Sequence, residues 1–297
     1  MNPKSIFGLS LPSLSPSKKR RATALVLGSG GARGWAHIGV LKALREIGFA
    51  PDICVGASIG AIAAAIQGSD AIDATLDLAA KFNIIQASKL FVEPSINKSG
   101  IVRGRRVVSF LQELIPAREI SDLSCRYAAV ATNLDDGAET VFSEGSLMDA
   151  IRASISIPGL FTPAKCGGGH FVDGGLVNPL PITVARAMGA DFIIAVNINN
   201  KRPMTAPRVP ATSGAKIAAK IFGAETNPAK MTVFEVFAHS LRIAEDRMTL
   251  DGIRAAPPDV LIEPAVGSIA TLDFTRALEA IDMGYEATMQ NAADLGR

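Results

Sequence analysis

The sequence is poor in the residues that most often organise small proteins from outside their core. Its three cysteines, Cys54, Cys125 and Cys166, are odd in number and widely spaced. They outline neither a disulfide framework nor a metal site, and a reducing compartment is the simpler expectation. Only three histidines occur, His37, His170 and His239. Aromatic residues make up 5% of the chain. No apolar run approaches the roughly 18 residues needed to span a bilayer. Neither charge sign dominates: 30 basic residues stand against 28 acidic ones, a net charge of +2. A dedicated nucleic-acid binder would carry a prevailing basic face, so that class is set aside. Lys18-Lys19-Arg20-Arg21 follows a Ser/Pro-rich stretch instead of preceding an apolar core, which excludes a secretory signal. A cytoplasmic location is expected.

What remains abundant is aliphatic. Of the 297 residues 48% are apolar and 20% charged, enough to bury a substantial core. Residues 1–20 read as a flexible leader and 21–297 as one domain. Ala24-Leu25-Val26-Leu27, Asp52-Ile53-Cys54-Val55, Tyr127 to Ala131, Glu139 to Phe142, Asp191 to Val196 and Val260 to Ile262 are strand candidates. Helical patterns run from Ile59 to Ile66 and near 105–115, 146–153, 180–188 and 273–290. Strands alternating with helices predict an α/β fold, a mostly parallel sheet covered on both faces. Residues 199–230, with Pro203, Pro207, Pro210 and Pro228, fit no element and suggest a lid or insertion. Within them Lys216, Ile217, Lys220, Ile221 and Phe222 would form a small basic amphipathic helix. That helix suits either peripheral contact with anionic lipid or an ordinary lid.

Chemistry concentrates in two glycine-rich turns and one carboxylate. Gly56-Ala57-Ser58-Ile59-Gly60 lies between a strand and a helix and matches Gly-x-Ser-x-Gly. Small residues allow the sharp turn that exposes a serine hydroxyl at a strand's carboxyl end, so Ser58 is the candidate nucleophile. Gly28-Ser29-Gly30-Gly31-Ala32-Arg33-Gly34 also joins a strand to a helix. Its backbone amides would converge on the oxyanion that a hydroxyl creates when it attacks an ester. A dinucleotide-binding turn is the competing reading, but Arg33 stands at the sixth position where that fingerprint needs glycine. Phe171-Val172-Asp173-Gly174-Gly175 would by itself be a plain turn. Asp173 gains interest because all three histidines suit structural roles. A buried carboxyl raised from its ordinary value of about 3.9 accepts a serine proton directly. Arg152 to Gly159 reads as a helix end with a proline stop.

In this order the four segments resemble the patatin-like phospholipase family. They are most similar to its bacterial RssA-type members, relatives of the catalytic domain of neuropathy target esterase. The resemblance runs from about Ala24 to about Asp282 and includes Gly31 to Val40, Ala129 to Leu134 and Thr271 to Phe274. It implies a three-layer α/β/α fold and a Ser58–Asp173 dyad. It places the oxyanion loop on Gly30, Gly31, Ala32 and Arg33, supported by Gly34, Gly56, Gly60, Gly174 and Gly175. It also implies structural support from Ala153, Ser154 and Pro158. Ser29 departs from the family pattern, where many members have glycine. The implied activity is hydrolysis of lipid acyl esters of lysophospholipid or phospholipid type, with no metal or other cofactor. A regulatory protein with little turnover and an acyltransferase remain as alternatives. The oligomeric state is not encoded legibly.

Overall fold

The computed structural model describes residues 21–91, 102–199 and 233–295. The leader and the 216–222 segment lie outside these, as does all of the expected lid except Asn199. An eight-stranded sheet forms the middle of the fold, and its strands are β1 (Thr23–Leu27), β2 (Ile53–Ala57), β3 (Arg126–Asn133), β4 (Glu139–Phe142), β5 (Ala164–Cys166), β6 (Gly169–Asp173), β7 (Phe192–Val196) and β8 (Val260–Ile262). The run β3-β2-β1-β7-β8 is parallel throughout. β4 and β6 are antiparallel to β3, and β5 is antiparallel to β6.

The central strands bury both faces, and alternation along them divides the core in two. Leu25 and Leu27 of β1 join one cluster while Ala24 and Val26 join the other; Ile194 and Ile193 of β7 divide likewise. On the larger side lie α1 (Trp35–Glu46), α2 (Ile59–Gly68), α3 (Ile72–Lys81), α5 (Arg105–Leu114) and α6 (Leu147–Ser154), after α4 (Ile84–Phe91) between the third and fifth. The opposite side is covered by α7 (Ile182–Ala187) and the end of α8 (Val233–Ala255). Two further helices, α9 (Ala277–Gln290) and α10 (Ala292–Leu295), come last among the described residues, α9 returning to pack on α1. Helices on both faces of a mainly parallel sheet give the expected three layers.

Several elements differ from the sequence reading, the unpredicted β5 and α4 among them. Phe171 to Asp173 is not a plain turn but the end of β6, whose hairpin with β5 turns through Gly167 and Gly168 at positive φ. Its five residues contain one adjacent apolar pair, too little to show strand alternation. The helix α3 lies beyond the predicted Ile59–Ile66 helix. The 23-residue α8 was hidden because its apolar residues are not confined to one face: Val236, Phe237, Ile243 and Leu250 are all exposed.

One feature of β3 positions everything that follows. At Ala129 and Val130 it has β2 on one edge and β4 on the other. At Ala131 and Thr132 β4 is still present, and β6 has replaced β2. β2 and β6 therefore meet end to end along one edge, Ala57 opposite Val130 and Asp173 opposite Ala131. A serine following β2 and an aspartate closing β6 must be neighbours.

The α1–α9 crossing depends on absent side chains. A β-carbon on Gly284 would stand 1.9 Å from the Ala36 carbonyl oxygen, and one on Gly39 1.9 Å from that of Ile281. Gly284→Ala is expected to cost about 1–3 kcal/mol or more by forcing the helices apart. Gly252→Ala, with open space around it on α8, is expected to be neutral or to stabilise by about 0.5–1 kcal/mol. Urea unfolding of both variants checks the contrast.

Candidate active site

Ser58 sits between β2 and α2 with φ 55° and ψ −125°. A non-glycine residue there carries strain of about 1–3 kcal/mol, which persists only where its surroundings fix it. They do. A β-carbon on Gly56 would lie 2.2 Å from the Gly60 backbone, and one on Gly60 2.0 Å from the Leu27 carbonyl oxygen. The Gly-x-Ser-x-Gly spacing is thus a packing requirement: α2 leaves the sheet so steeply that the strand, the helix and β1 touch backbone to backbone. Gly34 and Gly174 have the same reason to lack side chains, with Ile59 and the Val130 carbonyl in the space.

The end-to-end meeting of β2 and β6 leaves a gap in the β3 ladder, and Ser154 fills it. Its hydroxyl accepts from the Ser58 N–H at 2.8 Å and donates to the Val130 carbonyl at 2.6 Å. Both groups are buried and would otherwise lack a partner at the break. The role of Ser154 follows from this gap, not from anything in its local sequence. Pro158 lies just past this stretch, and Ser156 holds the neighbouring strand by accepting the Asp173 N–H at 3.0 Å.

Asp173 is 4% exposed and faces the serine. The Ser58 hydroxyl donates to its Oδ2 at 2.6 Å, and the Gly175 N–H donates to its Oδ1 at 2.8 Å. Thr132 donates to its carbonyl at 2.8 Å, fixing the main chain. Burial pushes the carboxyl up to about 6, against the opposing pull of the bonds from Ser58 and Gly175. A hydroxyl hydrogen-bonded to a carboxylate of raised proton affinity is equipped for proton transfer.

The histidines take no part in this contact. His37 is buried, bonded through Nε2 to the Gly28 carbonyl at 2.9 Å, and burial lowers it to about 4, so it is neutral. It braces the glycine turn. His170 lies on β6 an odd number of residues from Asp173, so the two point to opposite faces. His239 is on an exposed turn of α8, its Nδ1 at 3.1 Å from an Arg242 nitrogen.

The glycine turn is tied down on three sides. Gly28 N–H donates to Val196, Ser29 N–H to Pro179 and Ala32 N–H to Thr271, at 3.1, 2.8 and 2.7 Å. Arg33 is buried, and its guanidinium donates to the Ile198 carbonyl at 3.0 Å and to Thr271 Oγ1 at 3.1 Å. The Ala32 amide is therefore spent on structure, and the Arg33 side chain is a strut for the loop. Gly30 immediately precedes the short helical turn Gly31–Gly34 and Gly31 opens it, so neither amide has a partner within that turn. Neither appears as a donor among the described backbone hydrogen bonds that tie the turn down.

A cavity of about 990 Å³, its open mouth included, reaches Ser58 and Gly31. Trp35, Ile59, Ile62, Phe110, Leu160 and Phe161 are among its walls, which are almost entirely apolar. Among the described residues no cluster of three or more metal-ligating side chains occurs. Ser154→Ala is expected to cost about 1–3 kcal/mol, because it strips a buried amide and a buried carbonyl of their shared partner. Urea unfolding of the variant measures that loss.

Comparison with known proteins identifies the family. The model of the patatin-like phospholipase family matches residues 25–186. An uncharacterized NTE family protein of Mycobacterium tuberculosis is 31% identical over 90% of this chain and 90% of its own length. Patatin-like phospholipase domain-containing protein 7 of Rattus norvegicus is 30% identical over 89% of this chain, which corresponds to 20% of that larger protein. VipD of Legionella pneumophila superposes with a TM-score of 0.49 at 15% identity, covering 93% of this chain and 67% of its own. On the extent of the family match and of the mycobacterial similarity, the chain belongs to the patatin-like phospholipase family.

Proposed function

We propose that the protein hydrolyses acyl esters of lipids, with Ser58 as nucleophile and Asp173 as general base. The observation that carries this reading is the 2.6 Å contact between the buried hydroxyl and carboxylate beside an apolar cavity. Family membership supports lipid-ester hydrolysis in general terms. The cavity favours a substrate that presents an acyl chain, and monoacyl lipids such as lysophospholipids fit a pocket with so few polar groups.

In the first step the Ser58 oxygen attacks the acyl carbonyl carbon as its proton passes to Asp173 Oδ2. The carbonyl electrons move onto oxygen, where the Gly30 and Gly31 amides accept the charge as hydrogen-bond donors. The amino-terminal end of α2 adds a favourable dipole. Collapse of the intermediate expels the alcohol, which takes the proton from Asp173. Water then attacks the acyl-serine, gives its proton to the same carboxylate, and the fatty acid leaves as Ser58 recovers its hydrogen.

Reaction with a fluorophosphonate probe and hydrolysis of a short-chain ester test the assignment. Ser58→Ala is expected to abolish both, and Asp173→Asn to lower hydrolysis by about 10²–10⁴-fold. Full activity in Asp173→Asn together with loss in His239→Ala would overturn it. The sign of the pH dependence also follows. The base works only when deprotonated and its carboxyl is held up at about 6, so kcat/KM is expected to rise with pH through that value.

A further inference from the structure

Asp173 has two carboxylate oxygens, and only Oδ2 is used by Ser58. The other accepts the Gly175 N–H, and a second acid lies near it. α8 packs on the turn Gly174–Leu176 that follows β6, and it brings Glu245 there. A β-carbon on Gly175 would stand 2.8 Å from Glu245 Oε1, 3.1 Å from Asp173 Oδ1 and 3.2 Å from Ser29 Oγ. Three polar side chains from separate parts of the chain thus converge on the space that Gly175 leaves vacant. The two carboxyl oxygens are no more than about 6 Å apart, within the range over which one charge alters the ionisation of another. Nothing in the sequence around Glu245 flags it.

We infer that Glu245 is a positioning residue for Asp173, a second carboxyl that α8 brings within about 6 Å of the oxygen not used by Ser58, through which the charge around that carboxylate is set. The groups that act on Glu245 are identifiable. Burial is the largest influence and the Asp173 charge the next, and Asp246 on the same helix acts in the same direction. Arg33 from the glycine turn and Arg242 from α8 oppose them. The outcome is a carboxyl raised from its ordinary 4.5 to about 8, against about 6 for Asp173. Between those values Asp173 is the anion and Glu245 holds a proton. The pair carries a single negative charge, located on the member that Ser58 contacts. Above about 8 a second charge appears behind the base, and the transfer of charge from Asp173 to the oxyanion takes place in a changed field. Gly175 matters for the same reason, since a side chain there would occupy the space between the two acids.

The inference rests on Asp173 being the base, so its test has to separate the two. Glu245→Gln preserves shape and removes only the ionisation. Both proteins are assayed as full chains on a soluble short-chain ester across the pH range, and their melting temperatures are followed over the same range. The wild type is expected to show two inflections in kcat/KM, near 6 and near 8, and Glu245→Gln to keep the first and lose the second. The folded wild type holds a proton that the unfolded chain releases above 4.5, so its stability falls as pH rises towards 8. The variant escapes that fall, and its advantage in melting temperature is expected to grow over this interval. If the variant gains that stability while the two rate profiles superimpose, Glu245 is only a buried acid and the inference fails. Superposition of both the rate and melting profiles also overturns it. Ester turnover indifferent to Ser58→Ala and Asp173→Asn removes the base itself, a failure those two variants report separately.

Discussion

The hydrogen bond between the Ser58 hydroxyl and the Asp173 carboxylate exists because two strands compete for one edge of β3. β2 holds that edge as far as Val130 and β6 holds it from Ala131 onward. Where they meet, the regular ladder stops, and the backbone must turn away on both sides. On one side the turn is the strained Ser58. On the other it is Gly174, with the Val130 carbonyl where a side chain would be. Residues 115 positions apart in sequence are brought to 2.6 Å by this junction. The Ser154 hydroxyl closes the break by serving both exposed ladder groups at once. The break that creates the site and the bridge that stabilises it are one construction.

Burial then gives this contact its chemical character. No basic side chain shares Asp173 among its described hydrogen bonds, so desolvation outweighs the bonds it accepts and the carboxyl stays high. Among the described residues, ion pairs such as Arg45–Asp73 and Arg186–Asp259 are at least partly exposed and include neither member of the dyad. Each contributes little, since surface pairs are typically worth about 0–1 kcal/mol. Among the described residues the charged groups that act near the site are Arg33, which ties the glycine turn, and Arg242, Glu245 and Asp246 on α8. An apolar cavity beside the Asp173 carboxyl keeps a place for an acyl chain apart from the group that can take a proton.

Much of this was legible in the sequence because backbone contacts leave a residue signature. Gly56 and Gly60 are glycine for want of space, and spacing alone reveals them. β1, β2 and β7 are continuous apolar runs because both faces are covered. Asp173 was legible only indirectly, from the unsuitability of His37, His170 and His239 and from family resemblance. Its strand is a pair of apolar residues beside glycines, and its position depends on a register that no local pattern encodes. Ser154 was legible only through the family resemblance, and Glu245 not at all, for a related reason. The first answers a gap between strands that are distant in sequence, and the second lies on a helix whose polar and apolar residues are mixed. Resemblance places the oxyanion loop on Gly30 to Arg33, and the fold adds a tie from the Ala32 amide to Thr271 that holds this loop. Such partners become visible only once the chain is folded.

The proposed chemistry needs one serine hydroxyl, one carboxylate and two glycine amides around a single reacting centre. A crystal structure of the protein after covalent reaction with an organophosphonate shows whether they meet there. Density is expected to run continuously from Ser58 Oγ, with the phosphonyl oxygen within hydrogen-bond reach of the Gly30 and Gly31 amides and the Asp173 carboxyl still facing the adduct. An adduct on another side chain, or one whose oxygen points away from the glycine turn, would contradict it.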